Sequence, residues 1–436
     1  MKNYIIQNAK YLVVVNDKNE ILKGATLVIK DGRIEDIDPT QLPTDKEYEI
    51  FDASEHLIMP GLINTHTHLA MTLLRGWAEG VNLDGFLEHI WAAEAAIMDK
   101  ETCALGTELG AGEALLSGTT TTLDMYLNPD ATHKAAVKVG LRHIAGPIFF
   151  DFPGLDGLDW DQRVAFARQW PLIHKEIGGA QTPLFFMPHS VYTDSAEHLS
   201  EVAALGKEYG ARIHLHVSET EAENSMSAKI HGKTPTQVIR DTGILDVPTT
   251  FGHGVHLSDA DIEITASHGG SIAHCPGSNL KLGSGIADIR KYQEAGIAVG
   301  LGTDGCSSSN DLDMWSVLRL AAHMIALQHS PVDVELTGIV RAATIEGARA
   351  VGVSDLVGSL EVGKEADLIA IDLSALHLTP VHNILALLVF AAGRSDVSDV
   401  WVAGERVVRS RTLVKIDQAD LRKRVSDRMS ALDPLR

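Results

Sequence analysis

The stretch Pro60-Gly61-Leu62-Ile63-Asn64-Thr65-His66-Thr67-His68 is an apolar run that ends in two histidines two residues apart. In a β-strand, side chains two residues apart point to the same side of the sheet. His66 and His68 are therefore predicted to aim their imidazoles at one point. Taken alone, the pair fits either a metal site or two hydrogen-bonded histidines, so the rest of the chain has to distinguish these readings.

Composition limits the function classes that the chain can belong to. Its 436 residues are 45% hydrophobic, which is enough for a large core and a smaller accessory domain. The 37 Lys and Arg against 58 Asp and Glu give a net charge of −21. This charge argues against nucleic acid or an anionic membrane as a partner and favours a small neutral or cationic substrate.

The expected compartment is the cytoplasm. The chain has three cysteines, Cys103, Cys275 and Cys306. Because the number is small and odd, a disulfide framework is not expected, and we predict free thiols. The N-terminus lacks a signal-peptide segment, and the apolar runs are too short to cross a bilayer.

The middle of the chain alternates strand-like apolar runs with longer helix-like segments. Eight strands are predicted, at residues 58–65, 119–125, 142–150, 184–189, 212–217, 249–255, 271–275 and 297–303. This order predicts an α/β fold with a (β/α)8 TIM barrel over residues 58–359. A doubly wound open sheet is the alternative.

Both ends of the chain consist of β-branched runs. Asp31-Gly32 and Ala403-Gly404 are hairpin signals within them. Neither end alone has enough strands for an independent core. We therefore expect residues 1–57 and 360–436 to pair as one small composite β-sandwich domain.

Polar side chains that interrupt the apolar runs fall at the predicted strand ends, where the active site of such a barrel lies. They are His66 and His68 after the first strand, His189 after the fourth, His216 after the fifth, His253 after the sixth and Asp304 after the eighth. Glu219 follows His216 by three residues. So many imidazoles converging with a carboxylate predict a bound cation.

The ligand types indicate which cation. Imidazole nitrogens with one carboxylate and an open position, here His66, His68, His216 and Asp304, are typical of catalytic zinc or iron rather than calcium or magnesium. The ion would lower the pKa of a water molecule from ~15.7 to about 7. Glu219 would then transfer protons, and His253 would orient the nucleophile.

Several motifs together resemble the amidohydrolase superfamily. Besides the opening stretch they are His214-Leu215-His216-Val217-Ser218-Glu219-Thr220, His274-Cys275-Pro276-Gly277-Ser278-Asn279-Leu280-Lys281-Leu282 and Leu301-Gly302-Thr303-Asp304-Gly305. Ala70-Met71-Thr72-Leu73-Leu74-Arg75-Gly76 and His89-Ile90-Trp91-Ala92-Ala93-Glu94-Ala95 are similar to the branch of 5-methylthioadenosine/S-adenosylhomocysteine deaminases and triazine hydrolases.

This resemblance implies an activity and a division of roles. The activity is hydrolytic deamination of an adenosine derivative (5-methylthioadenosine, S-adenosylhomocysteine or adenosine) to ammonia and an inosine-type product. The implied metal ligands are His66, His68, His216 and Asp304, with Glu219 as proton shuttle, His253 beside the nucleophile, and Trp91, Glu94, His189 and Glu219 against the substrate. Relatives with two metal ions usually bridge them with a modified lysine at the end of the fourth strand. Here that strand ends in Met187-Pro188-His189-Ser190, without a lysine, so one divalent ion is expected, zinc first and iron second.

Other functions stay open at this point. A related amidohydrolase could act on guanine, a pterin, cytosine or a triazine, and a non-catalytic binding protein could use the metal as structural support. The loop Phe149–Asp156 lacks an arginine that some relatives use, and Asp151 or Asp156 there would favour neutral or cationic substrates. Barrels of this kind commonly pair, so we expect a homo-oligomer.

Several further polar residues are predicted to have ordinary structural or surface roles. His214, His256 and His274 are predicted to be hydrogen-bonded structural histidines, and His133 and His174 to be surface groups. Glu221 and Glu223 are predicted to be ordinary acidic residues of a helix start.

Overall fold

The computed structural model of this chain describes residues 2–43 and 47–432. The strands are β1 Asn3–Ala9, β2 Tyr11–Val13, β3 Ile21–Leu22, β4 Ala25–Lys30, β5 Arg33–Ile37, β6 Tyr48–Asp52, β7 His56–Pro60, β8 Leu62–Thr67, β9 Thr119–Asp124, β10 Arg142–Ala145, β11 Ile148–Phe149, β12 Phe185–Pro188, β13 Arg212–Val217, β14 Thr249–His253, β15 Ser271–His274, β16 Ala298–Leu301, β17 Leu368–Asp372, β18 Val397–Val402, β19 Glu405–Arg409 and β20 Thr412–Leu413.

The helices lie mostly between the strands of the middle region. They are α1 Leu83–Ile97, α2 Lys100–Leu116, α3 Pro129–Val139, α4 Trp160–Glu176, α5 Ala196–Tyr209, α6 Glu221–His231, α7 Pro235–Asp241, α8 Asp259–Ser267, α9 Pro276–Lys281, α10 Ile289–Glu294, α11 Cys306–Ser309, α12 Met314–Gln328, α13 Leu336–Ala342, α14 Ile345–Val351, α15 Ile384–Phe390 and α16 Gln418–Leu432, with short 3-10 helices at Leu69–Leu74, Gly179–Gln181, Ile244–Asp246, Pro331–Asp333, Leu376–Leu378 and Arg394–Asp396.

The middle strands form two parallel sheets that follow chain order. One sheet has the order β10-β9-β8 and the other the order β11-β12-β13-β14-β15-β16. A doubly wound sheet would reverse its strand order at a switch point, and neither sheet does so. The fold is therefore α/β with parallel strands and crossover helices, as predicted, and it is consistent with a TIM-barrel-like arrangement.

Two predicted strands are each broken in two by a glycine. The predicted strand at residues 142–150 forms β10 and β11, because a Cβ on Gly146 would lie 2.0 Å from the carbonyl oxygen of Phe185. The predicted strand at residues 58–65 forms the end of β7 and the start of β8, and a Cβ on Gly61 would lie 2.2 Å from the Thr120 side chain. The predicted domain boundary between residues 57 and 58 consequently falls within β7.

Strands from the two ends of the chain share a sheet. This sheet has the order β20-β19-β18-β17-β7-β2-β3, in which β7 pairs antiparallel with β17 and parallel with β2. A second sheet has the order β5-β4-β1-β6. Both predicted hairpins form, with φ of 50° and 83° at Asp31-Gly32 and 47° and 73° at Ala403-Gly404. Two successive positive φ angles are what a tight turn matched to strand twist requires.

The last part of the chain was assigned to the β domain and instead ends in the helix α16. Its Leu421 is buried, and its Arg424 contacts Glu108 of α2 at 2.6 Å. Its apolar residues Leu421, Val425, Met429 and Leu432 recur three or four positions apart, a helical spacing that the sequence analysis did not use. Among the described residues, no helix is long and apolar enough to cross a membrane.

The burial of individual side chains tests the predictions made for the cysteines and for two histidines. All three cysteines are free and buried, as expected. His133 and His174 were expected at the surface but are 1% and 3% exposed, because α3 and α4 pack them against each other and against His143. Burial lowers the pKa of His133 to about 2 and that of His174 to about 4, so both are neutral.

The break between β10 and β11 gives a stability test. Gly146→Ala should lower the free energy of unfolding by about 1–3 kcal/mol or more, because a backbone carbonyl cannot move away from the new methyl group as a side chain can. The measurement is the urea midpoint followed by tryptophan fluorescence. Gly338→Ala on α13 is the matched control, since its nearest neighbour would be the Glu335 Cβ at 3.7 Å. Equal midpoints for the two variants would contradict the argument.

Candidate metal centre and active site

The ends of four parallel strands bring five side chains together. His66 and His68 come from β8, His216 from β13, His253 from the end of β14, and Asp304 follows β16. The potential ligand atoms of His66, His68 and His216 lie within 4.8 Å of one another, and so do those of His66, His253 and Asp304. The sequence prediction that these side chains converge therefore corresponds to the geometry.

A hydrogen-bond chain fixes which nitrogen of His66 faces the cluster. The Nδ1 of His214 lies 2.8 Å from the carbonyl of Thr250, so this nitrogen carries the proton and donates it. The Nε2 of His214 is then an acceptor, and His66 Nδ1–H donates to it at 2.7 Å. His66 Nε2 is left as a buried lone pair without a hydrogen-bond partner. An orphaned nitrogen of this kind fits a metal ligand.

The other two histidines of the set are held in the same way. His68 Nδ1–H donates to the carbonyl of Met125 at 2.5 Å, and His216 Nδ1–H donates to the carbonyl of His189 at 2.9 Å. Each ring therefore presents Nε2 to the cluster. Three imidazoles with the same orientation and tautomer are suited to a single cation.

Asp304 completes a set of three nitrogens and one oxygen. Its Oδ1 lies 3.1 Å from His68 Nε2 and 3.5 Å from His66 Nε2. The carboxylate also accepts from Gly305 N at 2.8 Å and from Ser308 Oγ at 2.9 Å. Burial opposes its charge, but the adjacent imidazoles of His66 and His68 hold its pKa well below the usual value. The donor set fits zinc or iron better than calcium or magnesium.

Glu219 and His253 face each other beside this set. His253 Nδ1–H donates to Asn279 Oδ1 at 2.9 Å, which leaves its Nε2 at 3.6 Å from Glu219 Oε2. Ser284 Oγ lies 3.5 Å from the other carboxylate oxygen of Glu219. Burial raises the pKa of Glu219 above its ordinary value. A raised pKa makes the protonated form of this carboxyl group easier to reach than that of an exposed glutamate.

Glu223 is a site residue that the sequence analysis missed. It is 5% exposed, and its carboxylate accepts the backbone N–H groups of Ser218 at 3.0 Å and Glu219 at 2.7 Å. The expectation of an ordinary helix-start acid is wrong for Glu223, whereas Glu221 is exposed as expected. The spacing Thr220-x-x-Glu223 resembles a capping box and could have revealed a carboxylate that turns back toward the strand end.

The backbone is strained at the same strand ends. Ser218, His253 and Asp304 have φ of 50°, 71° and 61°, a region that residues other than glycine rarely adopt. Such conformations persist when surrounding contacts enforce them, and they concentrate at functional sites. Here they turn the chain so that His253 and Asp304 face the cluster.

The cluster forms the floor of a cleft that α1 and the strand ends enclose. Glu94 of α1 is buried in its wall and accepts a hydrogen bond of 2.5 Å from the Tyr126 hydroxyl. Burial raises the pKa of Glu94 to about 7. His189 also lines the cleft, with Nδ1 at 3.2 Å from both Ser190 Oγ and Thr193 Oγ1.

Trp91 lies in the cleft, and the remaining predicted histidines lie near it or beneath the cluster. The Trp91 ring lines the cleft at 6.2 Å from the His189 ring. His214 is fully hydrogen-bonded, as predicted, and His256 Nε2 lies 2.6 Å from the carbonyl of Ser284. His274 departs from the prediction, because it is buried and neither ring nitrogen has a hydrogen-bond partner.

Comparison with known proteins identifies one matching family, and the similar relatives are named as deaminases of adenosine derivatives. Residues 57–407 match the amidohydrolase family. The chain is 36% identical over 426 residues to a 5-methylthioadenosine/S-adenosylhomocysteine deaminase of Thermodesulfovibrio yellowstonii, covering 96% of both chains. It is 38% identical over 416 residues to a 5'-deoxyadenosine deaminase of Methanopyrus kandleri, covering 94% of this chain and 95% of the relative.

A solved structure is similar over nearly the whole chain. The crystal structure of an adenosine deaminase from Xanthomonas campestris with bound zinc has a TM-score of 0.93 and 34% sequence identity. The similarity covers 99% of this chain and 98% of that one.

Protons compete with a cation for the cluster, and this is measurable. Burial opposes a charge on His68, but its hydrogen bond to Asp304 and the charge of that carboxylate raise its pKa to about 9. Below pH 9 the metal-free site therefore holds a proton that zinc must displace, so we expect zinc binding at pH 7–8 to release about one proton. Calorimetry in buffers of different ionisation enthalpy measures this. Asp304→Asn should weaken zinc binding and reduce the proton release, and an unchanged release in that variant would contradict the assignment.

Proposed function

This chain belongs to the amidohydrolase family, and from that premise we propose that it is a metal-dependent hydrolase that deaminates adenosine derivatives. The substrates would be 5-methylthioadenosine, S-adenosylhomocysteine or adenosine, and the products ammonia and the corresponding inosine-type nucleoside. The observation that carries the proposal is the convergence of three imidazole Nε2 atoms and Asp304 beside the buried Glu219, on the floor of a cleft. The relatives named as deaminases support the C–N bond as the one that is hydrolysed.

One divalent cation is proposed at the cluster, with zinc as the first choice and iron as the alternative. Its ligands would be His66, His68 and His216 through Nε2, together with the carboxylate of Asp304. When bound, it supplies a water molecule whose pKa is lowered to about 7, which makes a nucleophile available at neutral pH.

Glu219 is proposed as the proton shuttle. As a carboxylate it accepts a proton from the attacking water, with Asp304 as the alternative acceptor. As a carboxylic acid it then protonates the purine ring nitrogen next to the amino-bearing carbon, so that the ring accepts electron density while the tetrahedral centre forms. A second proton transfer lets ammonia leave. The buried position and raised pKa of Glu219 support this exchange.

His253 is proposed to hold the attacking oxygen. Because its Nδ1–H is bound to Asn279, its Nε2 is the atom that faces Glu219 and the reacting centre. Trp91, Glu94 and His189 would contact the substrate further along the cleft. The unpaired oxygen of Glu94 is suited to accept hydrogen bonds from ribose hydroxyls, since Tyr126 occupies the other oxygen.

The domain division is also a proposal. Residues 58–359 would form a closed (β/α)8 barrel, and residues 1–57 with 360–436 the composite β-sandwich domain. Closure is supported by contacts between the first and last barrel strands: Asp304 N donates to the His66 carbonyl at 3.0 Å, and Thr65 Oγ1 donates to the Leu301 carbonyl at 2.9 Å. The cytoplasmic location and the homo-oligomeric state stay predictions from the sequence.

Glu219→Gln tests the proposed activity. The variant should keep the zinc content of the wild type but lose about 10²–10⁴-fold in kcat, because glutamine cannot exchange the proton. The measurements are zinc by atomic emission and ammonia release from adenosine, 5-methylthioadenosine and S-adenosylhomocysteine. Glu221→Gln is the control, since that carboxylate lies only two residues away, at the start of α6, but is exposed.

The same panel distinguishes the alternatives. Guanine, cytosine, a pterin and a chlorotriazine are included, with chloride followed as well as ammonia. Turnover of one of these in place of the adenosine derivatives would replace the proposed substrate class. No turnover of any compound by the zinc-loaded wild type would favour a binding protein.

Glu223→Gln tests the positioning residue. The amide nitrogen would replace one of the two acceptor oxygens, so one of the backbone N–H groups of Ser218 and Glu219 would lose its acceptor. Glu219 should then shift and kcat should fall about tenfold or more, with unchanged zinc content. A displaced shuttle should also move the acidic limb of the kcat–pH profile, which a loss of stability alone would not do. If the Glu223→Gln variant has the same kinetics as Glu221→Gln, Glu223 does not position Glu219.

A further inference from the structure

The outer part of the cleft is lined by uncharged side chains. If the chain is the deaminase proposed above, this lining affects which substrates it prefers. We propose that this part is a subsite for an apolar substituent at the ribose 5′ position, such as a short thioether or a methyl group. The enzyme would then discriminate against the amino-acid tail of S-adenosylhomocysteine. The preferred substrates would then be 5-methylthioadenosine, from the set proposed above, and 5'-deoxyadenosine, which carries a methyl group at the same position.

One face of α1 extends from the ribose site to the mouth of the cleft. Glu94, Ile90, Leu87 and Leu83 are spaced four, three and four residues apart, so they lie along one side of the helix, and all four line the cleft. Glu94 and Ile90 are buried, whereas Leu87 and Leu83 are half-buried. A substituent that leaves a ribose held at Glu94 toward the mouth would pass along this aliphatic face.

The opposite wall is aromatic. Phe150, which lines the cleft, has its ring centroid 5.3 Å from that of His189 and 5.3 Å from that of Phe152. Phe152 is 40% exposed at the rim and lies 6.0 Å from the Trp91 ring. Thioether sulfur makes favourable contacts with aromatic rings, so these walls suit a methylthio group.

No arginine or lysine side chain lines this cleft among the residues that the structure describes. Arg163 packs behind Phe150, with its guanidinium carbon 5.0 Å from the ring centroid, but it is 2% exposed. It donates to both carboxylate oxygens of Asp156, at 2.6 and 3.0 Å, and to the carbonyl of Ile148 at 3.2 Å. It is therefore not available to a substrate carboxylate.

The acidic residues of this loop are also occupied. Asp156 is paired with Arg163, and Asp151 accepts from His198 Nδ1 at 2.7 Å and from Ser195 N at 2.8 Å. The sequence expectation that Asp151 or Asp156 would attract a cationic substrate consequently finds no support in the geometry. A zwitterionic tail would lose hydration here and gain no partner for its carboxylate, which is costly.

Steady-state kinetics of the zinc-loaded enzyme test this proposal. We expect kcat/KM for 5-methylthioadenosine and 5'-deoxyadenosine to exceed that for S-adenosylhomocysteine by about tenfold or more. Equal or better turnover of S-adenosylhomocysteine would overturn the subsite and leave the deaminase proposal intact. Silence with every adenosine derivative would instead overturn the proposed function, and the subsite with it.

A charge placed at the rim gives the second arm of the test. Phe152→Arg should raise the ratio of kcat/KM for S-adenosylhomocysteine to that for 5-methylthioadenosine by about tenfold, because a guanidinium can bind the tail carboxylate. Phe390→Arg is the matched control: Phe390 is 41% exposed, close to the value for Phe152, but packs against His323. The control ratio should stay within about twofold of the wild type. If Phe152→Arg also leaves the ratio unchanged, the tail does not pass this wall and the proposal is wrong.

Discussion

The candidate site depends on one constraint: each imidazole of the cluster must present Nε2, and the scaffold enforces this by binding Nδ1–H. His66 is oriented by His214, His68 by the carbonyl of Met125, and His216 by the carbonyl of His189. These acceptors come from β13, from the end of β12 and from the loop after β9, so the ligand geometry and the sheet register are coupled. A slip of one residue in one strand would turn its ligand away from the cluster and leave a buried acceptor unpaired.

The strand ends turn sharply where the ligands have to face inward. Ser218, His253 and Asp304 adopt left-handed conformations, and local hydrogen bonds compensate for their cost. Glu223 binds the backbone at residues 218 and 219, and Asp304 accepts from its own neighbour, Gly305. These strand ends are thus held by contacts within the protein itself, which favours a preorganised site.

Much of the site was predictable from the sequence because strand alternation and strand-end position are local properties. The shared face of residues 66 and 68 followed from strand alternation and both hairpins from their turn dipeptides, whereas Glu219 was singled out by its offset from His216 together with the resemblance to the amidohydrolase motifs. Other features depend on contacts between distant segments. The break at Gly146 results from close approach to Phe185, and the burial of His133 results from packing between helices. Glu223 was missed because a buried carboxylate that binds backbone N–H groups has the same sequence pattern as a solvated helix start.

Two carboxyl groups on the floor of the cleft are driven in opposite directions by their surroundings. Asp304 is buried but lies against two imidazoles and accepts hydrogen bonds from a backbone N–H and a hydroxyl, so its pKa is held well below the usual value and it suits a cation. Glu219 is equally buried but faces only His253 and a distant hydroxyl, so its pKa rises. Groups whose pKa values are pushed apart in this way can divide the work, one holding charge and the other exchanging a proton.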